Sequence, residues 1–429
     1  MPVNSAADSP LAFLSRRPQL LQGGADFFPA LIAAIDGAAD WVQLESYIFD
    51  FHGAGADVAE ALVRAGQRGL TVQVLVDGIG SVALEDLWIK NFAAAGVSWQ
   101  VYSPLTGHWP HLGLVRPDRW RRLHRKLCVV DQQLVFCGGI NVLDDFYDPR
   151  HGLLVAPRFD FTVSLQGPVA EAASEAMALL WWRVQAGYSA RRHHLVAAWE
   201  AFKAAGYGGR IDAAQLAKRP ALIHLSQPAA AKNSQSPPSS RAALLVRDNL
   251  LNRNIIERAY RKAIGQARHE ILIANAYFLP GGRLRRALIK AARRGVKVTL
   301  LLQGKYEFFM QYHAVRPVYG ALLKAGVEIH EYEASYLHAK VAVIDGHWAT
   351  VGSSNLDPLS LLLAREANVV LDDTGFAHDL RARLLAAIAS HGRRVQAVEY
   401  NARPWRQRLL DLLAYALMRL ALLLAGQRY

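Results

Sequence analysis

Residues 121–131 read Arg121-Arg122-Leu123-His124-Arg125-Lys126-Leu127-Cys128-Val129-Val130-Asp131, and the chain repeats the pattern later. The second copy is Tyr336-Leu337-His338-Ala339-Lys340-Val341-Ala342-Val343-Ile344-Asp345. Both spell H-x-K-x4-D along an apolar, β-branched run, which predicts a strand whose side chains alternate between faces. His124 and Lys126 then leave one face together, as do His338 and Lys340. Asp131 and Asp345 fall at the strand ends with the opposite parity, where support suits them better than chemistry.

The turns Asp131-Gln132-Gln133-Leu134 and Asp345-Gly346-His347-Trp348 lead to second strands ending in Gly138-Gly139-Ile140-Asn141 and Gly352-Ser353-Ser354-Asn355. Closed as two-residue hairpins, both set a His opposite an Asn: His124 against Asn141, and His338 against Asn355. The same register sets Cys128 opposite Cys137, read as two small reduced core residues, with a cross-strand disulfide as the alternative. Each half then holds a His, a Lys and an Asn, and two such clusters facing each other suit a phosphodiester. Lys and Asn donors neutralise the phosphoryl oxygens. One imidazole attacks phosphorus while the other protonates the leaving alcohol. Fixed cations fill the place of a divalent ion, so neither metal nor cofactor is expected.

With these residues the chain resembles the phospholipase D superfamily, whose signature is a pair of HKD motifs, and most of all its cardiolipin synthase branch, along nearly its whole length. The resemblance implies an α/β fold of two similar α/β/α lobes, a pseudo-dimer with one central active site. Its catalytic set would be His124, Lys126, Asp131, His338, Lys340 and Asp345, with Asn141 and Asn355 on the phosphate. It also implies His124 as nucleophile, forming a phosphatidyl-histidine, and His338 as the acid that becomes the base. In the superfamily an acidic residue at the start of the strand after each hairpin orients the histidine, which places Asp160 behind His124 and Glu366 behind His338.

The implied reaction makes cardiolipin from phosphatidylglycerol, with a second phosphatidylglycerol or phosphatidylethanolamine as co-substrate. A phospholipase D or nuclease-type hydrolase is one alternative, and a non-catalytic lipid-binding protein is another. Two intact HKD copies with both Asn speak against the last. Leu359 stands where many cardiolipin synthases have Arg, and the N-terminal transmembrane pair of the longer synthases is not found. Both features resemble a shorter, peripheral branch and leave donor and acceptor open.

Composition sets the frame. With 429 residues, 52% hydrophobic and 20% charged, the chain has enough apolar material for two lobes. A net charge of +13 favours an anionic membrane surface or nucleic acid. Apolar strands alternate with helices over 27–102 and again over 255–330, so roughly half the chain is duplicated. The expected division is a first lobe over 1–225, a Pro-, Ser- and Ala-rich linker over 226–241, a second lobe over 242–402 and a terminal amphipathic helix over 403–429.

Aromatic and basic residues over 106–122 suit a phosphate headgroup or a nucleic-acid strand, whereas the loop over 306–313 carries an acid and no Lys or Arg and leans toward lipid. In the terminal helix Arg408, Asp411, Tyr415 and Arg419 share one side, which suits a helix lying in a membrane interface, with docking on the protein's own body as the rival. The pair Arg16-Arg17 is followed by a polar, Gly-rich stretch that interrupts any export signal. A peripheral protein on the cytoplasmic side of the membrane is expected, with phospholipid rather than nucleic acid as partner. Trp181 and Trp182 are expected to pack inside.

Overall fold

The computed structural model describes residues 11–424 apart from 82–83, 105–120, 150, 192–239, 249–251, 307–308, 359 and 361–363. Most of the aromatic-basic loop, the expected linker and Leu359 therefore lie outside the described residues. Two mixed sheets carry the duplication. The first runs, in spatial order, Gln19–Gln22, Phe161–Gln166, Leu134–Gly138, Leu127–Val130, Trp41–Ser46, Thr71–Asp77 and Ser98–Tyr102. The second repeats that order with Arg241–Arg247, Glu366–Asp372, Trp348–Gly352, Lys340–Ile344, Glu270–Asn275, Lys297–Gln303 and Glu328–Tyr332. In each, the strands joined through helices pair in parallel and the HKD hairpin pairs antiparallel.

Alternation along the strands builds three cores. Val129, Val135 and Val163 of the first sheet meet Val341, Val351 and Val369 of the second in one buried core between the lobes. The opposite faces are covered by helices: Leu31 and Leu62 lie over Val42 and Val74, and Tyr260 and Leu288 over Ile271 and Leu300. Trp181 is buried with Leu75, Leu123 and Leu180, and Trp182 packs at its edge. Ala12–Phe13 pairs with Arg241–Ala242, so the N-terminal arm, expected in the first lobe, joins the sheet of the second.

The hairpin register differs from the expected one. Val130 pairs with Leu134 and Ile344 with Trp348, so each turn holds three residues, not two. Asp131 and Gln132 (φ 51° and 57°), like Asp345 and Gly346 (φ 51° and 69°), occupy the left-handed region. That conformation is costly for most side chains and tolerated by Asp. Here it aims each carboxylate back at a neighbouring strand. Asp131 accepts the N–H groups of Ala39, Asp40 and Trp41 at 2.8–2.9 Å, and Asp345 those of Arg268, His269 and Glu270 at 2.8–2.9 Å. Burial pushes both carboxyls up, but the backbone donors outweigh it and hold them below the usual range. As a further consequence of the shifted register Cys128 faces Phe136, and Cys137 faces Leu127. Both cysteines are free.

Candidate active site

The histidines do not sit on the strands that were expected to carry them. Regular pairing begins at Leu127 and Lys340, and the residues just ahead cross to the other lobe. His124 N–H donates to the Arg365 carbonyl at 2.9 Å, and His338 N–H to the Phe159 carbonyl at 2.9 Å. A side chain at the end of the strand two places along the sheet steadies each crossing. Asp77 Oδ2 accepts Leu123 N–H at 2.8 Å, and Gln303 Oε1 accepts Leu337 N–H at 2.9 Å. Arg122 clamps Asp77 in turn at 2.6 Å.

This crossing decides which carboxylate serves which imidazole. His124 Nδ1 lies 2.9 Å from Glu366 Oε1, and His338 Nδ1 lies 2.6 Å from Asp160 Oδ2. The pairing expected within each lobe is therefore exchanged: each histidine is oriented from the opposite lobe. The strand-start acids lie against the interface core and the histidine segments pair across it, so the nearest imidazole to each is its counterpart's. Glu366 also accepts the Ser353 hydroxyl at 2.5 Å. The equivalent residue of the first lobe is Gly139, where a Cβ would lie 2.3 Å from Asp160 Oδ1. A methyl there displaces the carboxylate that holds His338. Gly139→Ala is expected to lower turnover by about 10²-fold, as a misplacement of about 1 Å does. A steady-state assay beside a melting curve checks this, since an unchanged rate would mean the carboxylate tolerates the shift.

The imidazoles keep 16% and 21% of their side-chain surface, while the carboxylates behind them are closed off. Lys126 and Lys340 are buried, and their Nζ groups donate to the carbonyls of His124 and His338 respectively. Burial, the largest influence, lowers the His124 pKa; Glu366 opposes this, and Lys126 and Lys340 add to the lowering. Burial likewise puts His338 well below the ordinary value, helped by Lys340, Lys126 and His124. Burial raises the Asp160 carboxyl to about 7 against the pull of Lys340, and lowers the Lys126 ammonium to about 7 against that of Glu366. The two half-sites thus act on one another as a single electrostatic cluster.

Other expected site residues are placed differently. Asp131 and Asp345 hold backbone at the far ends of their strands, away from the imidazoles, so their expected place in the catalytic set is corrected to a supporting one. Asn141 and Asn355 follow the second hairpin strands as expected, although the shifted register removes direct pairing with the histidines. Asn141 Oδ1 accepts Ile48 N–H at 3.1 Å, which directs its amide N–H groups elsewhere. Asn355 is buried, and among the described residues its Oδ1 meets no donor. Tyr47 was missed from sequence. Its ring lies edge-on to His124 at 5.0 Å between centroids and takes Lys126 Nζ at 5.3 Å. Its position, just past the end of a buried strand beside the site, is the only signal that could have singled it out.

The terminal helix, Trp405–Leu424, docks by its acid. Asp411, 1% exposed, lies 2.7 Å from His313 Nδ1 and accepts Arg403 Nη1 at 2.7 Å. Leu409, Leu412, Leu413, Leu417 and Leu420 point outward, each about half exposed. The helix therefore does dock on the body, and the face it leaves open is apolar. Among the described residues no helix is long and apolar enough to cross a membrane.

A twin-lobed α/β fold in which each lobe brings a His-Lys pair to a shared buried cluster defines a protein of the two-histidine phosphoryl-transfer class. Comparison with known proteins narrows the class. The family described as "Cardiolipin synthase, PLD-like domain" matches residues 31–151 and 260–387. Cardiolipin synthase B of Escherichia coli (strain K12) is 36% identical over 412 residues, covering 94% of this chain and 87% of the relative. Cardiolipin synthase A of Cronobacter sakazakii is 29% identical, covering 92% of this chain and 74% of the relative. The chain belongs to the cardiolipin synthase branch of the phospholipase D superfamily of enzymes. A solved phosphatidylserine synthase from Haemophilus influenzae Rd KW20 shares the fold, with a TM-score of 0.67 at 15% identity and 97% of each chain covered.

Proposed function

We propose that the protein is a phosphatidyltransferase that makes cardiolipin from phosphatidylglycerol, with a second phosphatidylglycerol or phosphatidylethanolamine as co-substrate. The observation that carries this reading is the exchange of carboxylates between lobes, which holds both imidazoles at one interface and supports their acting on one substrate. With His124 Nδ1–H donating to Glu366, the Nε2 lone pair is left for phosphorus. The Lys126 and Lys340 ammonium groups and the amides of Asn141 and Asn355 take the non-bridging oxygens.

His124 attacks, the phosphorus–glycerol bond breaks, and the departing oxygen takes a proton from His338. Asp160 Oδ2, 2.6 Å from His338 Nδ1, holds that ring so that its other nitrogen is the one left for the departing oxygen. The now neutral His338 accepts a proton from the incoming lipid hydroxyl, whose oxygen displaces His124 from phosphorus. Cardiolipin leaves and His124 is restored. The relatives' names support the lipid product, and the outward leucines support a peripheral place at a membrane surface.

The test is mass spectrometry of lipids after incubating purified protein with phosphatidylglycerol liposomes. Cardiolipin and free glycerol are expected; phosphatidic acid alone would replace this reading with a hydrolase. Attachment has its own measurement. Leu412→Glu with Leu413→Glu is expected to abolish co-flotation with anionic vesicles, each charge opposing insertion by about 1 kcal/mol or more, and undiminished flotation would place attachment elsewhere.

The free-protein pKa of Lys126 sets a pH dependence. With that ammonium half-protonated near pH 7, kcat/KM for an anionic lipid falls as pH rises through about 7, because the charge that grips phosphate is lost. The bound anion restores the proton, so kcat falls at a higher pH. A profile over about pH 6 to 9 checks the order of the two breaks.

A further inference from the structure

Beside its histidine each half-site carries a position that the duplication makes comparable and that differs between the lobes. Val42 pairs with Val130 and Ile271 with Ile344, so Tyr47 corresponds to Ala276. In the first lobe the Tyr47 ring fills the space against His124. In the second lobe a methyl stands there, Ala276 N–H donates to the carbonyl of Ala339 between His338 and Lys340 at 3.0 Å, and a groove begins.

The groove is mostly apolar. Phe278, Val315, Tyr319 and Met418 are among its walls, and Asp357, two residues after Asn355, also lines it. Its cations are already engaged: Arg316 pairs with Glu331 at 2.6 Å and lies over Tyr312, and Lys305 donates to the Ala334 carbonyl at 3.1 Å. Two lining residues hold the backbone on either side of His338: Ala276 N–H donates to the Ala339 carbonyl and Gln303 accepts Leu337 N–H, so the groove lies beside the His338 half-site, with Met418 of the docked terminal helix as another of its walls.

We infer that this groove holds an acyl chain of the acceptor lipid. The inference rests on the phosphatidyl-transfer reading above. In the first step the group beside His338 is glycerol, which carries no chain. In the second step the alcohol on that side belongs to a whole phospholipid: its oxygen bonds to phosphorus, the phosphorus–His124 bond breaks, and the proton passes to His338. A chain seated in the groove holds that hydroxyl in place against water, so the groove sets the balance of transfer over hydrolysis.

The experiment compares Ala276→Tyr and Val315→Trp with the unaltered protein on phosphatidylglycerol liposomes, reading phosphatidic acid and cardiolipin separately. The ratio of phosphatidic acid to cardiolipin is expected to rise about tenfold in each, the effect of displacing about two methylenes. An unchanged ratio in variants that still consume lipid overturns the inference. If the unaltered protein itself yields no cardiolipin, the functional reading fails instead. A second measurement covers variants that do not fold. Phosphatidylglycerol bearing a diazirine on its acyl chain, irradiated with His124→Ala protein, is expected to label residues 315–319 or 418, and labelling confined to the outward leucines overturns the inference.

Discussion

His124→Ala is expected to abolish transfer, a loss of about 10⁴-fold or more, because the imidazole that would form the covalent bond to phosphorus is gone while His338 is committed to proton transfer. His338→Ala is expected to fail differently. It lacks the acid, so phosphatidylglycerol is not cleaved, yet a phosphatidyl ester of p-nitrophenol leaves without protonation and should release a burst. Intact-protein mass spectrometry of that variant should then find one phosphatidyl group on His124. A burst from His124→Ala, or none from His338→Ala, would reverse the two roles.

The exchange of carboxylates leads to the second large effect. Glu366→Gln is expected to lower the rate by about 10³–10⁴-fold, since an amide holds the wrong tautomer of the imidazole in front of it. Asp160→Asn is expected to cost a similar factor through the other histidine. The activated ester separates the two. In a His338→Ala background Glu366→Gln should suppress the burst, because Glu366 holds His124 at 2.9 Å. Asp160→Asn should leave the burst in place, because its partner at 2.6 Å in the intact protein is His338. Pairing within each lobe demands the opposite pattern.

Much of the site was legible in the chain. H-x-K-x4-D written twice, each copy followed by a short turn and a second strand that runs into Asn, names the imidazoles and ammonium groups, and the matching order of strands and helices around them names two lobes. What was misjudged shares a physical origin. The hairpin register depends on one residue of turn length, and Asp131 and Asp345 lengthen the turn by entering the left-handed region to reach three backbone donors each. The reading that spaced His opposite Asn treated the turn as a two-residue one. The partner of each carboxylate lies 242 or 178 residues away along the chain, beyond the reach of any local pattern.

The terminal helix teaches the same lesson in reverse. Its polar stripe is visible at helical spacing, but a stripe does not say whether water or protein faces it. A buried Asp411 bridging His313 and Arg403 shows that the acid is the docking point and the leucines the free face. Local covalent order determined which groups this protein has for chemistry, because motif spacing and side-chain alternation are properties of a single strand. Which groups act together was decided only by the packing of one sheet on the other, because hydrogen bonds between lobes depend on positions in space that neither half of the chain specifies alone.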